Sequence, residues 1–163
     1  MKKLVLASAI AMGLMSGAVS AETIKGFSTD MSPDEFRSKI EDLGGYINRD
    51  HYSEMYGQLS IQAGTDYCDG CLTIGGAEIK SVSYLEDKSS HISVSYKVKD
   101  GDGQTLAESI AYKYGEYDSF DVAGSSVFYR WNLSRNLTMT LRRGGDFLSF
   151  KRDLKKDGDV SDF

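Results

Sequence analysis

Alternation with a period of two constrains this chain more than any other feature. In HISVSYKVK, residues 91–99, Ile92, Val94, Tyr96 and Val98 fall on one side, and Ser93, Ser95, Lys97 and Lys99 on the other. SVFYRWN places Val127, Tyr129 and Trp131 together. LTMTLRR sets Leu137, Met139 and Leu141 against Thr138, Thr140 and Arg142. Gly144, Gly145 and Asp146 then turn the chain into FLSFKR, where Leu148 and Phe150 continue the apolar side. Successive strand residues point to opposite faces, so such segments have one dry face and one wet face. That is the signature of antiparallel sheet resting on a core. Weaker strands are expected around 55–62, 72–74 and 79–85.

Two segments break this rhythm with helix ends. SPDEFRSKIEDLGG begins with Ser32 as cap, Pro33 in the first turn and Glu35 three residues after the serine, the arrangement of a capping box. Phe36, Ile40 and Leu43 share a face, and Gly44 and Gly45 supply a left-handed stop. TLAESIAYKYGE repeats the pattern, with Thr105 as the expected cap, Glu108 three on, Leu106, Ile110 and Tyr114 on one face, and Gly115 as stop. The expected fold is therefore α+β, an antiparallel sheet with two short helices packed on one face. The order of elements suggests a tandem helix-plus-three-strand duplication, with half-repeats at 22–100 and 101–154.

The chain opens with Met1, Lys2 and Lys3, an apolar run through Met15, and the small residues of Val19-Ser20-Ala21. This is the layout of a bacterial-type signal peptide over residues 1–21. About 12 apolar residues fall short of the ~20 that span a bilayer, and no later stretch is apolar enough to do so. The reading is a soluble periplasmic domain over 22–154 with a polar, flexible tail at 155–163. Cleavage removes two of 19 basic residues and none of 24 acidic ones, leaving a net charge of −7. Such an acidic chain is not a general nucleic-acid binder.

DMSPDEFRSKIEDLGG resembles the helix opening of small bacterial envelope modules of the BamE (SmpA/OmlA) and beta-lactamase-inhibitor-protein types. Met31, Ser32, Leu43 and Gly44 carry the match, and LAESIAYKYG followed by a tryptophan-bearing strand resembles the second half of tandem modules of this kind. Gly45 stands where those modules often have proline, and the lipid-anchoring cysteine of BamE is missing. The resemblance implies an α+β module that binds other proteins, and it carries over no binding residue.

Chemistry-bearing residues are few. Cys68 and Cys71, the only cysteines, sit in YCDGC. Thioredoxin-type redox chemistry needs the first cysteine at a helix N-terminus, whereas LTIGG reads as strand and turn, and the single proline is already used in the first helix. Haem attachment needs a histidine after the second cysteine, where Leu72 stands. With His51 and His91 the pair makes a Cys₂His₂ set by count, so a metal-binding carrier is an alternative. An oxidising compartment favours a small Cys68–Cys71 disulfide instead. DGDGQ suggests a calcium loop through Asp100, Asp102 and Gln104, but Thr105 stands at the position that needs glycine. Dispersed carboxylates such as Asp50, Glu54 and Asp118 leave a small hydrolase as the second alternative. No residue is assigned to catalysis, a metal or a cofactor.

One asymmetry stands out. Residues 130–156 hold eight basic side chains against two acidic ones, in an otherwise acidic chain. Alternation places Phe128, Arg130, Thr138, Thr140 and Arg142 on the wet face of the last strands. Arginine and aromatic side chains are enriched at interfaces. The expected role is thus non-catalytic protein binding, with an acidic protein or anionic envelope component as partner.

Overall fold

The computed structural model describes residues 24–64, 72–88 and 91–154. Nine strands and two helices follow in the order α1 (Pro33–Asp42), β1 (Tyr46–Ser53), β2 (Gln58–Gly64), β3 (Thr73–Ile74), β4 (Ala77–Asp87), β5 (His91–Val98), α2 (Gly103–Tyr114), β6 (Ser119–Ala123), β7 (Ser126–Ser134), β8 (Leu137–Arg143) and β9 (Phe147–Asp153). Every pairing is antiparallel, and eight strands run β1-β2-β4-β5-β9-β8-β7-β6, with the two-residue β3 beside β4. The residues called a signal peptide, the two cysteines and the tail beyond Leu154 lie outside the described residues.

The expectation of an α+β fold, with helices as a full partner layer, is corrected. Strand takes 54% of the described residues and helix 18%, so this is a sheet-dominated fold. The helix-plus-three-strand unit is corrected too. Each helix is followed by a four-strand meander, β1-β2-β4-β5 and β6-β7-β8-β9, and the two meanders meet at their last strands, β5 and β9. β1 and β6 escape sequence reading because they are the sheet's two edges. All five β6 side chains are exposed, and in β1 just Ile47 packs against the core, so neither carries an apolar alternation.

The buried face follows the register. Ile61, Tyr84, Val94, Phe150, Met139 and Trp131 stand side by side across six strands. Ala63, Val82, Tyr96, Leu148 and Leu141 form a parallel row, and all these side chains are buried. Phe36 and Ile40 of α1 and Leu106 and Ile110 of α2 join the same core. Burying each large apolar side chain contributes about 1.5–3 kcal/mol. The Phe36 ring lies 5.5 Å from Tyr84 and 5.4 Å from Phe27, which reaches Tyr96 at 6.3 Å. Tyr96 donates its hydroxyl proton to the Ile24 carbonyl at 3.0 Å, and burial pushes its ionisation far upward.

The two helices begin differently. At α1 the Ser32 N–H donates to Glu35 Oε2 (2.7 Å) and the Glu35 N–H to Ser32 Oγ (3.3 Å), the expected box. Its end is a Schellman turn: Gly44, at φ +70°, donates to Glu41 O and Gly45 to Ile40 O, both at 2.9 Å. At α2 the expected Thr105 cap is displaced. The helix starts at Gly103, so Thr105 already lies inside its first turn. Asp102 holds the cap position without capping, because its carboxylate instead accepts the Glu78 N–H of β4 at 2.8 Å. Gly115 ends α2 as expected, at φ +82°.

Candidate binding surface

On the face of the sheet away from the core, the register assembles polar rows from distant parts of the sequence. Asp121, Phe128, Arg142, Phe147 and Lys97 are successive neighbours across β6, β7, β8, β9 and β5. The next row runs Ser119, Arg130, Thr140, Ser149, Ser95, Ser83, Gln62 and Arg49 across all eight strands. Thr138 lies in a third row, between Asn132 and Lys151. All five side chains expected on the wet face are therefore brought together on it.

Their electrostatic states differ. Arg130 pairs with Asp121 at 2.5 Å, across β6 and β7, which neutralises that end of the row. Lys151 stands 3.4 Å from Asp153. Arg142 meets no carboxylate among the described residues. Its guanidinium carbon sits 5.8 Å from the Phe128 ring centre and 5.9 Å from that of Phe147, one ring on each neighbouring strand. Its Nε donates to Ser126 Oγ at 3.2 Å, and Ser126 in turn donates to Gly144 O at 3.2 Å. Two aromatic neighbours and one hydrogen bond thus position an exposed, always-charged group whose Nη atoms make no side-chain hydrogen bond among the described residues. Lys97 closes the row beside Phe147, likewise without an ion pair among the described residues. Phe147 and Lys97 were missed as site residues. Their parity is legible in the sequence, since each precedes or follows a buried partner, but their adjacency needs the β5–β9 register.

Among the described residues, which do not include Cys68 and Cys71, the alternative sites do not assemble. His51 and His91 lie on β1 and β5, three strand positions apart in the sheet, about 14 Å at the usual inter-strand spacing. Among the described residues no group of three or more His, Cys, Asp or Glu is placed to hold a metal ion. Asp50 accepts from Arg37 Nε at 2.7 Å and Nη2 at 3.1 Å, and these hydrogen bonds hold its carboxyl below the ordinary value. Glu54 is exposed beyond the end of β1. Asp118, beside the opposite edge of the sheet, accepts the Asn132 N–H at 2.7 Å. Asp100 and Gln104 remain around the turn into α2, where Gln104 donates to Glu108 at 2.8 Å and Asp102 is committed to β4. No helix of the described residues is long and apolar enough to cross a membrane. No family model, curated protein or solved structure matches the chain.

Proposed function

We propose that this protein is a non-catalytic, periplasmic protein-binding module that docks an acidic protein surface on the open face of its sheet. The observation that carries the reading is the row Phe128–Arg142–Phe147–Lys97, an alternation of ring and cation across four strands. Arginine and aromatic side chains dominate binding hot spots, because rings bury much area and a guanidinium carries several directed donors. Here the guanidinium is held by its neighbours before any partner arrives, so little freedom is lost on docking. The resemblance of the α1 opening to envelope modules that bind proteins points the same way.

The test is capture from an envelope extract with wild type and Arg142→Ala side by side, followed by affinity measurement on whatever protein wild type retains. Loss of an interface arginine costs roughly 2 kcal/mol, about 30-fold in Kd, and the loss should be larger at low salt. Arg142→Lys should not restore binding fully, since the planar fork is gone. Arg130 is the poorer probe, because removing it releases Asp121. Equal retention and equal affinity for wild type and Arg142→Ala would exclude the open face as the docking surface.

A further inference from the structure

A cavity lies between α2 and β7, on the side of the sheet away from the open face. Its helix wall follows from sequence spacing. Leu106 and Ile110 of α2 are buried in the core, while Gln104, Ala107, Glu108 and Ala111 recur at helical spacing along the flank that lines the cavity. Two of those four side chains end at Cβ, so the flank stands off the sheet. The space left is about 340 Å³, the size of a small ligand pocket.

The opposite wall is aromatic. Tyr129 and Trp131 share the core side of β7, and Tyr117 packs on both, at 5.0 and 6.4 Å between ring centres. Trp131 Nε1 donates to Gly115 O at 3.1 Å, and the Asp118 N–H to Arg130 O at 2.8 Å. The segment that carries Glu116 and Tyr117 is thus tied to β7 at both ends, and the wall is formed before any ligand arrives. Arg143 has the opposite parity to Arg142, so it turns to the core side of β8 and lines the same cavity. Gln104 donates to Glu108 at 2.8 Å, which positions that carboxylate. A second cavity, of about 370 Å³, shares Gln104 and Arg143 with the first.

The lining narrows the class of ligand. Tyr117 touches both other rings, so the three make a continuous wall with no gap between them to cage a cation. Glu108 and Glu116 stand in one lining with Arg143, so an ion of either sign meets a like charge. A hydroxyl group is neutral and both donates and accepts, and it suits carboxylate, amide and guanidinium alike. A β-glucose ring, with its hydroxyls equatorial, has flat C–H faces that can lie on aromatic rings. We infer that this cavity binds a neutral, β-linked glucose-type sugar, one ring on the aromatic wall and the next toward the second cavity. The site is separate from the Arg142 row and shares no side chain with it.

Trp131, the single tryptophan of the chain, is a built-in reporter. Cellobiose, a β-linked glucose disaccharide, is titrated onto the whole protein while Trp131 fluorescence and the heat of binding are followed. Saturable binding in the millimolar range is expected. Mannitol has the hydroxyls without a ring face, choline offers a cation and phenylalanine a zwitterion; each should bind at least tenfold more weakly. Ala111→Phe fills the cavity from an exposed position, so it should weaken cellobiose binding at least tenfold with the melting temperature nearly unchanged. Tyr117→Ala, which removes a partly exposed ring, should weaken it likewise, while Arg142→Ala should leave it unchanged. The inference is overturned if cellobiose gives neither a fluorescence change nor heat, or if mannitol, choline or phenylalanine binds as tightly. It is also overturned if Ala111→Phe or Tyr117→Ala, shown to be folded by its melt, binds cellobiose as wild type does.

Discussion

Arg37 shows how a single side chain ties two elements together. Its Nη1 donates to Asp34 at 2.6 Å within α1, and its other donors hold Asp50 of β1. Hydrogen bonding to Arg37 is the main reason the Asp50 carboxyl ionises below its ordinary range, with charge attraction adding to it. A carboxyl lowered in the folded state stabilises fully above its unfolded value, and that stability is lost as pH falls through the folded value. Asp50→Asn should therefore destabilise the protein near neutral pH, by no more than ~1 kcal/mol because the pair is partly exposed. Below both values the difference should vanish. Urea midpoints for both proteins at about pH 7 and about pH 2 test this, and an equal difference at both would reject it. This pair was not legible in the sequence. Arg37 and Asp50 are 13 residues apart, and just the packing of α1 beside β1 makes them neighbours. Arg142 was half legible: its face followed from parity, while its two ring neighbours depend on register.

At the scale of elements, the two helix starts give opposite expectations from similar sequence. Ser32→Ala removes an acceptor that Glu35 N–H uses, and should cost about 1 kcal/mol. Thr105→Ala removes an exposed hydroxyl inside the first turn of α2, and should shift stability by less than about 0.5 kcal/mol. Thermal melts of the two variants distinguish them, and a larger loss at Thr105 would restore it as the cap. The motif misled at α2 because the helix starts two residues before Thr105, at Gly103, with no side-chain cap. Asp102 and the Glu78 N–H, 24 residues away, decide where that helix meets the sheet. Strands buried on one face were legible for a related reason: cover on one side imposes alternation. The edges β1 and β6 have little or no cover, so nothing imposed a pattern on them, and the breadth of the sheet was underestimated.

The whole molecule is held at its middle by β5 and β9, where His91 to Lys97 pair with Asp153 to Phe147. Leu148 and Phe150 of β9 lie in the centre of both buried rows, touching both meanders through their register partners. Ending the chain at Asp146 should therefore abolish cooperative unfolding rather than remove one strand's share of it. Circular dichroism on heating tests this, and a single sharp transition in the shortened chain would mean that the first meander folds alone. The same seam sets an order in time. The strand that completes the centre comes last in the chain among the described strands, and its partner precedes it by 50 to 62 residues. Closing so long a loop is entropically costly and slow compared with forming hairpins. Until β9 has joined, β5 presents an unpaired edge in a half-finished sheet. The folding chain therefore passes through a stage with sticky borders that the completed sheet hides, and its refolding yield should fall with rising protein concentration more steeply than its final stability would suggest.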